Sequence, residues 1–467
     1  MEEKDIVIIG GGPAGYVAAI RASQLGGKIT LVEGNKLGGI CLNTGCIPTK
    51  FLLHSAELYE STKTIGQYGI SITGAKYDLA EIQVQKNRVI STLVAGVQSL
   101  LEGNKVEIIK GQAKFTSPKQ LEIDSGQREK QVIQAKKVII ATGSKSVALP
   151  IPGADSPDIM NTWELLNLDH LPKSLVMIGG GVVGVEMATI LAKLGCKVTI
   201  VEMMPHILPT QDAELASILG DALKEDSVEI YCGARVSRIE GTKGDKSVIL
   251  SEGEKEQKLE AETVAVSVGQ KPNIEDLGLD EAGVAVNKSA IQVNKSMETS
   301  VPNIYAAGDA IGGLMLAYVA MDEGMIAAEN AMGRDSKIDY QAIPQCIFTL
   351  PSLASVGLTE EEAIAQGHEI RIGRFPFVAS GMAVILGEQR GLVKIITEQK
   401  YDQILGVHII GPRATDLIPE ATLAMKLECT PQEIVATMHA HPTLSEALRE
   451  AALDVTGETI HFSSQNR

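Results

Sequence analysis

An α/β chain is predicted by two observations. A pattern of apolar strand, G-x-G-x-x-G, helix, strand and acid occurs twice, at residues 5–33 and 174–202, and the region after residue 342 carries strand-like runs followed by helices. Strands alternating with helices around glycine-rich turns specify open parallel sheets. The fold class is therefore two Rossmann-like dinucleotide-binding domains plus a C-terminal α+β domain.

The first copy, DIVIIGGGPAGYVAAIRASQLGGKITLVE, places Gly10, Gly12 and Gly15 between strand and helix and ends in Glu33. The second, SLVMIGGGVVGVEMATILAKLGCKVTIVE, places Gly179, Gly181 and Gly184 likewise and ends in Glu202, and the step from first glycine to acid is 23 residues in both. The first glycine makes the tight turn, the second admits a pyrophosphate, and the third packs helix on strand. The helix N-terminus then faces the phosphates, and the acid accepts hydrogen bonds from a ribose. A lone G-x-G-x-x-G is weak evidence, and glycine-rich turns that bind nothing are the alternative; here strand, helix and acid all stand in place twice. Two sites point to two dinucleotides and to electron traffic between them. Glu202 suits a free 2′-hydroxyl, and VEMMPHILP (201–209) holds no arginine for a 2′-phosphate, which favours NAD over NADP.

Between the copies lies GGICLNTGCIPTK (38–50), with four residues between Cys41 and Cys46. Pro48 fits the first position of a helix. Cys46 then lies just before that helix, where a thiolate is stabilised and a lowered thiol pKa is expected. Five residues of α-helix rise about 7.5 Å, and bridged Cα atoms lie within about 7 Å, so a disulfide needs a non-helical approach, which Gly45 allows. A zinc site would want further Cys or His ligands at matched spacing. A redox-active disulfide is favoured over a structural bridge, unbridged thiols or a metal. Cys196, Cys232, Cys346 and Cys429 are scattered and read as ordinary core or surface residues.

The bulk numbers bound the rest. A length of 467 residues suggests about three domains. A composition of 44% hydrophobic and 21% charged residues is that of a globular protein. The net charge of −16 argues against nucleic acid or anionic membrane as partner. Strand-like sequence starts at Asp5, no leader is expected before it, and no lipoyl-type domain is seen there. The longest apolar stretch, SLVMIGGGVVGV (174–185), is too short to span a bilayer. A cytoplasmic protein is expected.

Near the C-terminus, His439 and His441 are two apart and do not share a helix face. In His441-Pro-Thr-Leu-Ser-Glu446 the carboxylate can hold one imidazole nitrogen and leave the other to take a proton; His439 reads as a supporting residue.

Four segments, GGICLNTGCIPTK, VIIATGS (138–144), VPNIYAAGDA (301–310) and HAHPTLSEALRE (439–450), together resemble the flavin-dependent pyridine-nucleotide disulfide oxidoreductases, most closely their dihydrolipoamide-oxidising members, over essentially the whole chain. The resemblance implies FAD in the first fold (1–145), NAD in the second (146–271), a return to the first domain (272–341) and a C-terminal interface (dimerisation) domain (342–467). It implies a redox-active Cys41–Cys46 disulfide, with Cys41 the interchange thiol and Cys46 nearer the flavin. Glu33 would hold the adenosine ribose and Ala113 the adenine. Lys50 would sit by the flavin, paired with Glu186. Thr142, Gly143 and Ser144 would pass near FAD, and Asp309 would bond its polyol chain. Met315, Leu316, Ala317 and Tyr318 would complete the flavin side, with Val236 and Gly269 on the nicotinamide side. His441, held by Glu446, would be the base and would serve the partner subunit of a homodimer. The substrate would be dihydrolipoamide on a lipoyl-bearing protein of a 2-oxo acid dehydrogenase, acetoin or glycine-cleavage complex. Tyr318 and Val319 stand where the family often has a histidine and a basic residue, and Gln270 where it often has an arginine; the first puts flavin contacts in doubt and the second the nicotinamide-side contacts. The alternatives are a reductase of another disulfide, such as glutathione disulfide, and a non-catalytic redox-sensing flavoprotein.

Overall fold

A computed structural model describes residues 2–127, 130–252 and 255–463. They form two compact units: 2–52, 78–147 and 269–339 make the first, and 53–77, 148–268 and 340–463 the second.

In the first unit the strand Glu2–Ile9 lies between Ile29–Glu33 and Gln131–Ile140, parallel to both, with Ile6 opposite Ile29 and Val7 opposite Val138. Glu107–Lys110 continues the sheet beyond Ile29–Glu33, and Ile304–Ala306 continues it beyond Val138–Ile140. Parallel strands covered on both faces read as unbroken apolar runs, which is why VIIG and VIIA occur here. Ile6, Ile8, Leu31 and Ile139 pack on one face with Ala18, Ala22 and Ala327, while Val7, Ile9, Val138, Ile140 and Ile304 pack on the other with Phe115 and Leu121. The helices Pro13–Gln24 and Ala317–Ala331 approach backbone to backbone: a Cβ on Gly324 would stand 2.3 Å from the Ala14 carbonyl oxygen.

The second unit holds a parallel sheet in the order Glu229–Tyr231, Lys197–Val201, Ser174–Ile178, Thr263–Val266, Met160–Asn161. A three-stranded antiparallel sheet, Arg235–Thr242, Asp245–Glu252 and Lys255–Ala261, follows in the chain. The C-terminal part is a five-stranded antiparallel sheet ordered Gln345–Ile347, Ser352–Gly357, Ile404–Gly411, Leu392–Glu398, Ile370–Pro376. The helices Ala414–Lys426 and Glu446–Asp454 bury Ile418, Ala421, Ala447 and Leu448 against Ala354, Val356, Val393 and Val407 of that sheet. Among the described residues no helix is long and apolar enough to cross a membrane.

Candidate functional site

The two glycine motifs fold alike, and each glycine has its own reason. Gly10 and Gly179 hold φ of +105° and +111°, which only glycine adopts readily. A Cβ on Gly15 would stand 1.8 Å from the Gly10 oxygen, and one on Gly184 would stand 2.1 Å from the Gly179 oxygen. The middle glycines differ: a Cβ on Gly12 would meet only Gly39 Cα at 3.7 Å, and one on Gly181 would meet nothing within 4 Å. The space beside them is the cradle a pyrophosphate needs. Neither Gly12 nor Gly181 caps its helix with a side chain, so the helix N-termini stay open to an anion.

The two acids are clamped in the same way. Glu33 accepts the Gly11 and Asn35 N–H groups at 2.6 Å each. Glu202 accepts those of Gly180 and Met204 at 2.7 and 2.8 Å. Ala113 comes to the Glu33 end of the first sheet, because Gly111 N–H donates to the Glu33 carbonyl at 3.0 Å.

Cys41 lies on a short helix, Gly39–Thr44, and Cys46 is the first residue of the next, Cys46–Thr64. Pro48 is therefore the third residue of its helix rather than the first, and its ring is still tolerated in the opening turn. Gly45, at φ −141° and ψ −113°, breaks the helix between them and gives the non-helical step the pair requires. The two cysteines are thiols joined by a hydrogen bond. That bond to Cys46, and then burial, push the Cys41 thiol well above its ordinary range, against the pull of Lys50. Cys46 opens its helix, where the N-terminus favours a thiolate.

Asp309, in the turn Gly308–Ile311, lies with its Oδ2 2.5 Å from Ser144 Oγ. Ser144 Oγ also meets Gln270 Oε1. A hydroxyl has one proton, so either the Gln270 amide presents its NH₂ or Asp309 holds a proton. Burial pushes the Asp309 carboxyl up, while the Ser144 hydroxyl opposes the shift. Gln270 thus joins Ser144 and Asp309 within the first unit. Gly269 takes φ +111° just before it, and Gly143 takes φ +73° just before Ser144. Met315, at φ +50°, leads into Leu316, whose side chain does not cap the helix that Ala317 and Tyr318 begin. Thr142 Oγ1 is buried with no partner among the described residues. An orphaned hydroxyl, an open glycine cradle and a clamped acid fit the flavin dinucleotide in the first unit.

In the second unit Glu186 is buried on the helix Val182–Leu194 and accepts the Phe348 N–H at 2.9 Å. Lys50 belongs to the first unit. Val236 is buried among Val176, Ile178 and Val248, beside a bulge between residues 236 and 238. The open Gly181 and the clamped Glu202 fit the nicotinamide dinucleotide.

His441 is 78% exposed and its Nδ1 lies 2.9 Å from Glu446 Oε1. Glu446 Oε2 accepts the Thr443 N–H at 2.9 Å. Burial alone would raise the Glu446 carboxyl; the Thr443 N–H and His441 more than offset it and hold it below its ordinary value. His439 is buried, 4% exposed, between the Glu420 carboxylate at 2.8 Å and the Thr437 carbonyl at 2.9 Å. Sequence reasoning missed Glu420, which lies too far along the chain to signal itself.

Residues 4–324 match the family model described as pyridine nucleotide-disulphide oxidoreductase, and residues 343–452 match that family's dimerisation domain. The chain is 42% identical to a dihydrolipoyl dehydrogenase of Bacillus subtilis, over 98% of this chain and 99% of that one. It is 41% identical to a dihydrolipoyl dehydrogenase of Geobacillus stearothermophilus, over 98% of each. Among solved structures, the Cu(II) complex of the HOCl-induced flavoprotein disulfide reductase RclA of Escherichia coli superposes with a TM-score of 0.88 at 30% identity, over 97% of this chain and 99% of that one.

Proposed function

The chain belongs to the pyridine nucleotide-disulphide oxidoreductase family, and within it we propose a dihydrolipoyl dehydrogenase. It is a flavin-dependent disulfide oxidoreductase that oxidises dihydrolipoamide and passes hydride to NAD⁺. The dimerisation domain makes the working form a homodimer. Its substrate is the dithiol of a lipoyl-bearing protein, of a kind that 2-oxo acid dehydrogenase, acetoin and glycine-cleavage complexes use. Residues 1–145 and 272–341 serve FAD, 146–271 serve NAD, and 342–467 form the interface.

The observation that carries the reading is the Cys41–Cys46 pair, with Cys46 at a helix N-terminus, in a chain with two dinucleotide cradles. Gly10, Gly12, Gly15, Glu33, Thr142, Ser144 and Asp309 would hold FAD; Gly179, Gly181, Gly184 and Glu202 would hold NAD⁺. FAD, when bound, supplies two-electron transfer between the dithiol and the nicotinamide. The protein's own steps are thiol exchange. His441 takes a proton from dihydrolipoamide, and the thiolate attacks Cys41 Sγ of the disulfide. The S–S bond breaks, and Cys46 leaves as the thiolate that its helix N-terminus stabilises. The second lipoyl thiol then attacks the mixed disulfide, releasing lipoamide and leaving Cys41 and Cys46 as a dithiol. Two electrons have moved, and NAD⁺ receives them as hydride. The lipoyl thiol needs a base to become the attacking thiolate, which is the part given to His441 and Glu446.

The test is NADH formation from NAD⁺ and dihydrolipoamide by the FAD-loaded protein, with NADPH and glutathione disulfide in parallel. Rapid NADH formation and an idle glutathione reaction are expected. The reverse pattern refutes both substrate and nucleotide.

A further inference from the structure

One residue from each strand of the C-terminal sheet lines up in a single row. Gln345 faces Ser355, Ser355 faces His408, His408 faces Lys394 and Lys394 faces Arg374. Cross-strand partners share a face, whereas Ala354, Val393 and Val407, next to them along the strands, point into the helix-covered core. Ser355, His408 and Lys394 are buried, the last two 1% exposed. A buried ion pair often stabilises no more than an apolar pair of equal volume, but it dictates which surface docks where.

The docked surface is one short segment. Gln211 Nε2 donates to Gln345 Oε1 at 2.8 Å, and Gln211 Oε1 accepts from Ser355 Oγ at 2.7 Å. Lys394 Nζ lies 2.8 Å from Asp212 Oδ2, 3.0 Å from Glu214 Oε2 and 2.7 Å from Glu360 Oε2. Arg374 also holds Glu214, its Nη2 3.0 Å from Oε2 and its Nε donating to Oε1 at 3.0 Å. Gln211 and Asp212 end the loop that begins at Glu202. That loop folds back on the glycine motif: Leu208 N–H donates to the Gly180 carbonyl at 2.8 Å, and Gln211 N–H to the Leu208 carbonyl at 2.9 Å. Gly180 N–H in turn donates to the Glu202 carboxylate at 2.7 Å.

We propose that the row Gln345–Ser355–His408–Lys394–Arg374 positions the second nucleotide site. It fixes Gln211 and Asp212, and through the loop 203–212 it fixes the Gly180–Glu202 clamp that meets the ribose. Gln211 and Lys394 are thus positioning residues for NAD⁺, although neither touches the clamp. This inference rests on the NAD reading of the second fold.

The experiment measures NAD⁺ binding to the oxidised FAD-loaded homodimer by titration calorimetry, in the parent protein and in Gln211→Leu and Lys394→Met. Stopped-flow reduction of the flavin by dihydrolipoamide serves as the control half-reaction. The Kd for NAD⁺ is expected to rise roughly three- to thirtyfold in both variants, the usual span for residues coupled to a site at a distance, with flavin reduction at the parent rate. An unchanged Kd in folded variants overturns the inference, because the row then only holds the fold. Lys394→Met takes the cation from Asp212 and leaves Glu214 and Glu360 to Arg374 alone; if it does not fold, Gln211→Leu, which keeps every charge, decides. A parent protein that binds NADPH and not NAD⁺ brings down the reading of the site instead.

Discussion

His441 Nδ1 and Glu446 Oε1 stand 2.9 Å apart, and Thr443 N–H fixes the other carboxylate oxygen, so the imidazole is held by a group that is itself held. Nε2 is left to work. Replacing His441 with Gln should lower lipoamide turnover by roughly two to four decades, the scale of acid–base assistance. NADH oxidation by an artificial electron acceptor, which needs no thiol exchange, should persist. Steady-state assays of both reactions decide, and a loss under tenfold removes His441 from the role of base.

Cys41 and Cys46 have unequal tasks. The two-electron-reduced parent should show a long-wavelength charge-transfer absorbance; Cys46→Ser should lack it at every stage, and Cys41→Ser, which has no disulfide to reduce, should show it already with its flavin oxidised. Anaerobic titration followed in the visible spectrum checks this, and a band that survives Cys46→Ser sinks the assignment.

The second glycine motif separates folding from binding. A Cβ on Gly184 would stand 2.1 Å from the Gly179 oxygen, whereas one on Gly181 would meet nothing within 4 Å. Gly184→Ala should therefore lower the melting temperature, by overpacking on the order of 1–3 kcal/mol. Gly181→Ala should melt like the parent and lose NAD⁺ affinity. Equal melting temperatures in the two variants would contradict this account.

His408 ties stability to pH. Burial first, and then the charge of Lys394, push its pKa below the ordinary value; Asp212, the Leu358 carbonyl and Glu362 oppose the shift. Below about pH 6.5 the unfolded chain binds a proton that the native chain refuses. Stability is therefore lost as pH falls from that value towards the native one, by at most about 1.4 kcal/mol per pH unit. Scanning calorimetry between pH 7 and 5 should show this slope, and His408→Gln should flatten it; an equal slope in the variant rules out His408 as its source.

Ser144 joins Asp309 to Gln270. Ser144→Ala leaves a buried carboxyl without its hydroxyl and should weaken FAD retention roughly tenfold, about the worth of one hydrogen bond to a charged group. Flavin fluorescence on dilution reads the release, and retention equal to the parent's would mean that Asp309 needs no such support.

What the sequence disclosed is what is local. The glycines and acids of both motifs lie within one βαβ unit, and their spacing alone carries the geometry. His441 and Glu446 lie five residues apart and were legible for the same reason. The helix at Gly39–Thr44 was not, because its stop at Gly45 depends on backbone angles that the residue type only permits. The contact of Gln270 with Ser144 was not legible either, because the two lie in distant segments. The polar row escaped altogether: each strand mixes polar with apolar residues, which reads as an ordinary outward face until the register aligns one from each strand.

The strand Ile304–Ala306 completes a sheet that Glu2–Ile9 began, whereas the five strands from Met160 to Val266 form a sheet closed within one continuous stretch. On a ribosome adding about 5–20 residues each second, the later sheet is finished first. The edge of Val138–Ile140 meanwhile waits roughly tens of seconds for its neighbour, open to pairing with another chain. The nascent polypeptide thus finishes its second sheet before its first, and its period of greatest risk falls between the two.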